Sequence, residues 1–431
     1  MPNRDPQRKR PLIYPLALGY CALLVCFALI LDRPAHIWAG LRSILTSPSV
    51  LISDYVALGG VGAALVNSAL VVLSALAVLV LANAPQNGGA LSTLGLVAGF
   101  SLFGKNFFNI WPIILGSLLS AKARHVPFSS CANAGLMATT LGPLVSFVCF
   151  SRDHPYHPAL GLFLGALIGF VVPPLAQRTA RILSGMNLYN IGFACGLTAM
   201  VLMPVLHAAG IDPATVSLWS GEYSRPLGAF VAGLCLFCLA AGLLLSGLPP
   251  KEVWARYRAL LRETGRAPCD FLAAHGVGAV LVNMGVNGLL CLGYLLLIGG
   301  DVSGPTLGCI LTVMGFSAAG KHARNIWPIM AGVALGGLTM NWSVTNPAPQ
   351  MAALFGTTLA PIAGCFGWPA GILAGFLHGS VVLRTGGFVG GVNLYNNGFS
   401  GGLVAVFLYP ILTAFLPWKK TQDHLDGDTK A

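Results

Sequence analysis

Two lysines stand at matched places in apolar surroundings. Lys105 lies in GFSLFGKNFFNIWPI, Gly99 to Ile113, and Lys321 in GFSAAGKHARNIWPI, Gly315 to Ile329. Ten of the fifteen positions agree, at an offset of 216 residues. An amino group inside a membrane is costly and marks a solute or ion path by default. As a pair, Lys105 and Lys321 would form a cationic site suited to an anion or to the electronegative atoms of a polar solute. The structural alternative is that each lysine snorkels to an interface or makes a fixed pair. Asn109 and Asn325 either contact the solute or act as N-caps of half-helices that start at the IWP triplets, with Pro112 in the first turn. The positive ends of those half-helices would then point at the same solute. Trp111 and Trp327 either wall the path or pack at an interface.

A second constellation is NLYN. Asn187, Tyr189 and Asn190 recur as Asn393, Tyr395 and Asn396, offset by 206. On a helix, positions i and i+3 share a face, so the two amides of each motif would point one way. They would line the path or bond neighbouring helices, as Asn67 and Asn283 would. Asp54 and Asp270 open two further matched stretches, DYVALGGVGAALVN and DFLAAHGVGAVLVN, with nine of fourteen positions identical. A carboxylate there either caps a helix or couples transport to H⁺ or Na⁺. TTLGPL from Thr139 returns as TTLAPI from Thr357. Arg324 and His322 occur in the second copy only. No GxSxG, HExxH or P-loop pattern is present, and the histidines lack ligand spacing. No enzyme activity, cofactor or metal site is expected.

These residues need a scaffold, and the composition says which kind. The 431 residues are 55% hydrophobic and only 9% charged, against about 25% charged in a soluble globular chain. A soluble protein could not cover its surface with so little charge, whereas lipid solvates the exterior of a polytopic helical membrane protein. The apolar runs are continuous rather than alternating, which excludes an outer-membrane barrel. The net charge of +11 sits mainly in short loops, so it reads as a membrane-topology signal and not as a nucleic-acid footprint. Cys235 and Cys238 form a CxxC deep in an apolar run, with no second pair; they read as packing residues.

Four blocks in one order, twice, make an internal duplication. The expected fold is all-α and polytopic: two inverted repeats of about five spanning helices, each with a re-entrant half-helix hairpin. Leu91 to Gly104 and the stretch after Asn109 would each rise about 20 Å as helix, too short for a ~30 Å hydrocarbon core. A hairpin entering and leaving on one side solves that, with the lysine near its tip. Counted this way, MPNRDPQRKR, AKARH (Ala121 to His125), QRTAR (Gln177 to Arg181), the basic stretch Pro249 to Pro268 and Lys419–Lys420 all fall on one side. The uncharged loop Asn341 to Gln350 falls on the other. Arg33, Arg42, Arg152, Arg225 and Arg384 lie opposite the cluster without forming one. The expected organisation is residues 1–248 for the first repeat with the helices that flank it, 249–269 as a basic cytoplasmic linker, 270–416 as the second repeat and 417–431 as a tail. The expected location is a bacterial inner membrane, with both termini cytoplasmic.

The GKxxxNIWP and NLYN repeats resemble a bacterial family of duplicated multi-pass membrane proteins of unknown function. The overall layout resembles that of urea transporters, without that family's own motifs, so no substrate follows from it. The function expected is a transporter or channel for a small polar, anionic solute, running between the repeats. The alternatives are a urea-like facilitator for a neutral amide or amine, an intramembrane enzyme or lipid-handling protein, and a structural scaffold. The partners expected are the lipid bilayer and the solute, with room for a homo-oligomer.

Overall fold

The computed structural model describes residues 13–50, 52–151, 157–213 and 216–417. The basic N-terminal stretch, Arg152, Lys419, Lys420 and all but the first residue of the expected tail lie outside the described residues. The described chain is helical throughout. The first copy runs α1 (Ile13–Leu31), α2 (Pro34–Thr46), α3 (Tyr55–Gly59), α4 (Val61–Leu81), α5 (Gly88–Phe100), α6 (Trp111–Ala123), α7 (Ala132–Ala138), α8 (Gly142–Phe150), α9 (His157–Ile182) and α10 (Asn190–Ala208). The second runs α11 (Ser224–Leu244), α12 (Pro250–Leu260), α13 (Phe271–Leu297), α14 (Gly304–Phe316), α15 (Ala323–Thr339), α16 (Pro347–Phe355), α17 (Ala360–Phe366), α18 (Trp368–Phe388) and α19 (Asn396–Phe415).

The correspondence is helix by helix. In α2 the buried residues include Ile37, Leu41 and Ile44; in α12 they are Val253, Tyr257 and Leu260, each 216 positions on. That spacing puts one apolar stripe on each helix. The stretch expected as a linker therefore forms a helix with a counterpart in the first copy. Gly60 (φ +86°) separates α3 from α4, and Gly276 (φ +82°) kinks α13 at the equivalent place. Positive φ suits glycine and interrupts the helix one turn after its aspartate cap.

Among the described residues, eight helical stretches are long and apolar enough to cross a membrane. The 13-residue helices α5, α6 and α14 are apolar but shorter, about 20 Å each. The helices α5 and α14 pack on each other at glycines. A Cβ on Gly95 would meet Gly315 Cα at 2.6 Å, and one on Gly99 would meet the Gly308 carbonyl at 2.2 Å. Rising numbers on one helix face falling numbers on the other, so the two are antiparallel. Beside them α10 and α19 pack through Gly192 and Gly398, with Phe193 stacked on Phe399 at 5.9 Å between centroids.

Hydrogen bonds fix the direction of each copy. Asp270, which starts α13, accepts from the Gly88 amide (3.1 Å), just past the end of α4. Asp54, which starts α3 and α4, lies against Gly304, just past the end of α13. Equivalent helices α4 and α13 thus run in opposite directions, and the copies are inverted relative to each other. Each aspartate sits at the N-terminus of the other copy's half-helix.

The half-helices also turn back. Gln350 at the start of α16 accepts from the Asp301 amide (3.1 Å), so the chain after α15 has returned to where α14 began. In the first copy Thr93, in the second turn of α5, donates to Asn133 in α7 (2.9 Å). One end of the molecule gathers the Gly88 turn, Asp270, the α12 segment and the turn after α9, where Arg266 Nε donates to the Ser184 carbonyl (2.8 Å). The opposite end gathers Asp54, Trp219, Asp301 and Gln350.

Candidate functional site

Each lysine follows a glycine that ends a half-helix. Gly104 has φ +91° and Gly320 φ +114°, a region that costs an L-residue energy. The chain then leaves the helix, and its freed carbonyls need donors. Asn67 supplies them in the first copy, from Nδ2 to the carbonyls of Ser101 (2.7 Å) and Lys105 (2.9 Å). Asn283 does the same for Ser317 (2.8 Å) and Lys321 (2.7 Å). Asn287, which has no polar counterpart in the first copy, adds a bond to Ser317 Oγ (2.7 Å).

Asn109 and Asn325 brace these breaks and neither is an N-cap residue, although Asn325 holds the N3 place of a capping box at the start of α15. Asn109 accepts from the Asn106 amide (3.0 Å) and donates to the Gly104 carbonyl (2.9 Å) and Ser146 (2.9 Å). Asn325 accepts from the His322 amide (2.9 Å) and donates to the Gly320 carbonyl (2.8 Å). The helix α15 already begins at Ala323, so Asn325 is inside its first turn; α6 begins at Trp111, with Ile110 as the capping residue. Both amides bond the backbone next to the lysine, and Asn109 also reaches Ser146 in α8.

NLYN is a turn, not a helix face. The helices α10 and α19 start only at Asn190 and Asn396. Without helical dihedrals the i, i+3 rule does not apply, and the two amides of each motif part company. Asn187 Nδ2 donates across to the Gly398 carbonyl of the other copy (2.8 Å), and its Oδ1 accepts from Thr358. Asn190 instead ties α10 to α9, donating to the Ala176 carbonyl (2.8 Å). Asn396 likewise reaches Val382 in α18 (3.2 Å). The turn itself is held by the opposite copy: the Leu188 amide donates to the Thr358 carbonyl (3.0 Å), and the Leu394 amide to the Thr140 carbonyl (3.2 Å).

This crossing brings Tyr189 and Tyr395 together, 4.8 Å between ring centroids. Edge contacts flank them, Tyr189 on Phe316 (4.7 Å) and Tyr395 on Phe100 (5.2 Å), and Phe100 and Phe316 are themselves equivalent residues. The lysines enter from either side, both with no exposed surface. Lys321 Nζ donates to the Tyr189 hydroxyl (2.5 Å) and to Thr357 Oγ1 (2.7 Å), and lies 4.3 Å from the Tyr189 ring centroid. Lys105 Nζ has one contact, 3.4 Å to the Leu136 carbonyl, and lies 5.6 Å from the Phe100 centroid. That carbonyl already accepts from Thr139 (2.6 Å).

The structure thus gathers Lys105, Lys321, Tyr189 and Tyr395 on the seam between the copies, with Asn187 and Asn393 in the adjoining turns. It leaves Trp111 and Trp327 at the surface, 40% and 42% exposed, with Trp327 stacked on Trp368. Arg324 is exposed, while His322 is buried against the Glu263 carbonyl (2.9 Å). Asp54 is buried and takes amides of Val56 (2.9 Å) and Ser220 (3.1 Å). Asp270 is half-buried and takes those of Gly88 and Ala273 (3.0 Å). Among the described residues no group of His, Cys, Asp or Glu is arranged to hold a metal ion. Sequence reasoning missed the role of Thr357 and Thr358 and of the paired phenylalanines. The recurrence of TTL was the signal, since a pair of threonines kept in both copies has no evident use on an apolar helix.

The fold and this buried polar seam define a polytopic helical membrane protein built from a duplicated unit. The chain belongs to the family described as "Protein of unknown function (DUF1576)", whose model matches residues 33–208 and again 249–414. The two matches begin 216 residues apart, so each unit includes its amphipathic helix, α2 or α12. No curated protein and no solved structure matches the chain.

Proposed function

We propose that this protein passes a small polar solute of anionic character across the membrane, along the seam between its two inverted copies. The observation that carries this reading is the pair of fully buried lysines at the breaks of oppositely directed half-helices, Lys321 bonded to Tyr189 and Lys105 set over the Phe100 ring that Tyr395 touches. Burying an amine in an apolar interior is costly. A structural pairing accounts for Lys321, which Tyr189 and Thr357 satisfy, but not for Lys105. Broken helices beside a central site are the arrangement by which many membrane carriers expose backbone polarity only where a solute passes. On this reading α5–α6 and α14–α15 are re-entrant hairpins, entering the membrane from opposite faces. The end that carries Lys122, Arg124, Arg178, Arg181 and the basic face of α12 lies in the cytoplasm.

The test is uptake by proteoliposomes of a panel of small radiolabelled or fluorescence-reported anions. Lys105→Ala and Lys321→Ala should each lower flux at least tenfold with monodisperse protein. Unchanged flux of every transported anion in the double variant would remove the lysines from the path. Lysine-independent passage of urea or another neutral amide would favour the facilitator reading instead.

A further inference from the structure

The two halves of the seam are equivalent in sequence but not in bonding. In the second copy, the break lysine finds both its tyrosine and its threonine: Lys321 Nζ meets Tyr189 Oη and Thr357 Oγ1. The corresponding residues at the first-copy break are Lys105 and Thr139, with Tyr395 reaching in from the second copy as Tyr189 does from the first. There the lysine reaches only a carbonyl at 3.4 Å, the long end of a hydrogen bond. Tyr395 Oη is buried and has no partner. Asn393, in the turn that carries Tyr395, likewise keeps a buried Nδ2 without an acceptor, where its counterpart Asn187 has one.

An ammonium can donate three hydrogen bonds and accepts none, and a phenol donates one. Leaving such donors unmatched in a dry interior is costly, most of all for a charged group. Lys105 Nζ and the Tyr395 ring share one neighbour, the face and edge of Phe100. What this half lacks is an acceptor. Among the described residues no carboxylate forms an ion pair with either lysine; the four recorded pairs involve His36, His207, Arg256 and His275.

We infer that the first-copy half is the binding subsite, in which a small anion bridges Lys105 Nζ and the Tyr395 hydroxyl, while Tyr189 occupies the corresponding place at Lys321. This rests on the transport reading above and adds to it which half binds and what chemistry it takes. The tyrosine hydroxyl at Lys321 acts as an internal substitute for the solute, so the two subsites are occupied in different ways within one chain. Because the copies are inverted, exchanging their roles would present the anion to the opposite face of the membrane.

The experiment uses the full chain purified in detergent, at fixed ionic strength, with sodium gluconate replaced stepwise by sodium chloride, nitrate or formate. A bound anion raises the unfolding temperature in a saturable way. At least one of the three should do so in the wild type. Lys105→Gln and Tyr395→Phe should weaken the half-saturating concentration at least tenfold. Lys321→Gln should unfold at a lower temperature and raise the half-saturating concentration less than Lys105→Gln does. Tyr395→Phe removes one oxygen and keeps the ring, so it separates binding from folding. The inference is overturned if no probe stabilises the wild type, if Lys105→Gln and Tyr395→Phe respond like it, or if Lys321→Gln loses the response equally. Binding with the expected pattern but no flux in proteoliposomes would keep the subsite and reject the transport reading.

Discussion

Asp54 offers the sharpest test of how the two copies hold each other. Its carboxylate is buried, accepts the amides of Val56 (2.9 Å) and Ser220 (3.1 Å), and lies against Gly304. The two amides belong to α3 and to the loop before α11, and Gly304 opens α14. A hydrogen bond to a charged group contributes about 1.5–3 kcal/mol, and its loss leaves a buried donor unmatched. With at least two such bonds removed and no water to replace them, Asp54→Ala should cost about 3–6 kcal/mol. Asp270 accepts from Gly88 and Ala273 but is half-buried. Water can substitute there, so Asp270→Ala should cost about 1–2 kcal/mol, the usual range for a lost cap. Asp54→Asn keeps one acceptor oxygen and should fall between. Thermal unfolding in detergent ranks the variants, and hydrogen–deuterium exchange locates the damage. In Asp54→Ala, exchange should quicken together in residues 54–60, 218–224 and 303–308. Wild-type stability and exchange in Asp54→Ala would refute the capping argument. If H⁺ or Na⁺ dependence of flux disappeared at the same time, the coupling role would take its place.

Two further expectations follow from the inverted copies and their breaks. Single cysteines placed in the Ala121 to His125 turn and in Pro249 to Pro268 should react with a membrane-impermeant thiol reagent from one face, and cysteines in Asn341 to Gln350 from the other; a shared face for Ala121 and Asn341 would contradict the contacts. Gly320→Ala should destabilise more than Gly104→Ala. Both positions have positive φ, but the new Cβ at 320 would lie 2.6 Å from the Gly265 carbonyl, which is backbone, whereas at 104 it would meet the movable tip of Leu394 at 2.5 Å. Equal unfolding temperatures for the two variants would count against this.

The duplication, the membrane setting and the break at each lysine were all legible from residue types, because each rests on local chemistry or on long matched strings. Charge content decides whether a chain can cover itself in water. A glycine before a lysine between two short apolar runs marks a broken helix whatever lies around it. Even the reversal of the second copy followed from where basic loops fall. Partner choice was not legible. Asn109 looked like a helix cap, since asparagine caps many helices, but the break beside it held unsatisfied carbonyls that took its amide first. NLYN looked like one helical face, and its backbone is a turn because the opposite copy's TTL segment supplies the hydrogen bonds a helix would have made. The tryptophans repeat as faithfully as the lysines, yet only packing put the former on the surface and the latter inside. Sequence symmetry also implied two equal sites. The difference between Lys321, with two oxygens within 2.7 Å, and Lys105, with none nearer than 3.4 Å, arises from side-chain placement across a seam between segments far apart in the chain. The sequence determined which residues are paired; the tertiary structure decided which member of each pair is satisfied, because a hydrogen bond depends on tenths of an ångström that no spacing along the chain records.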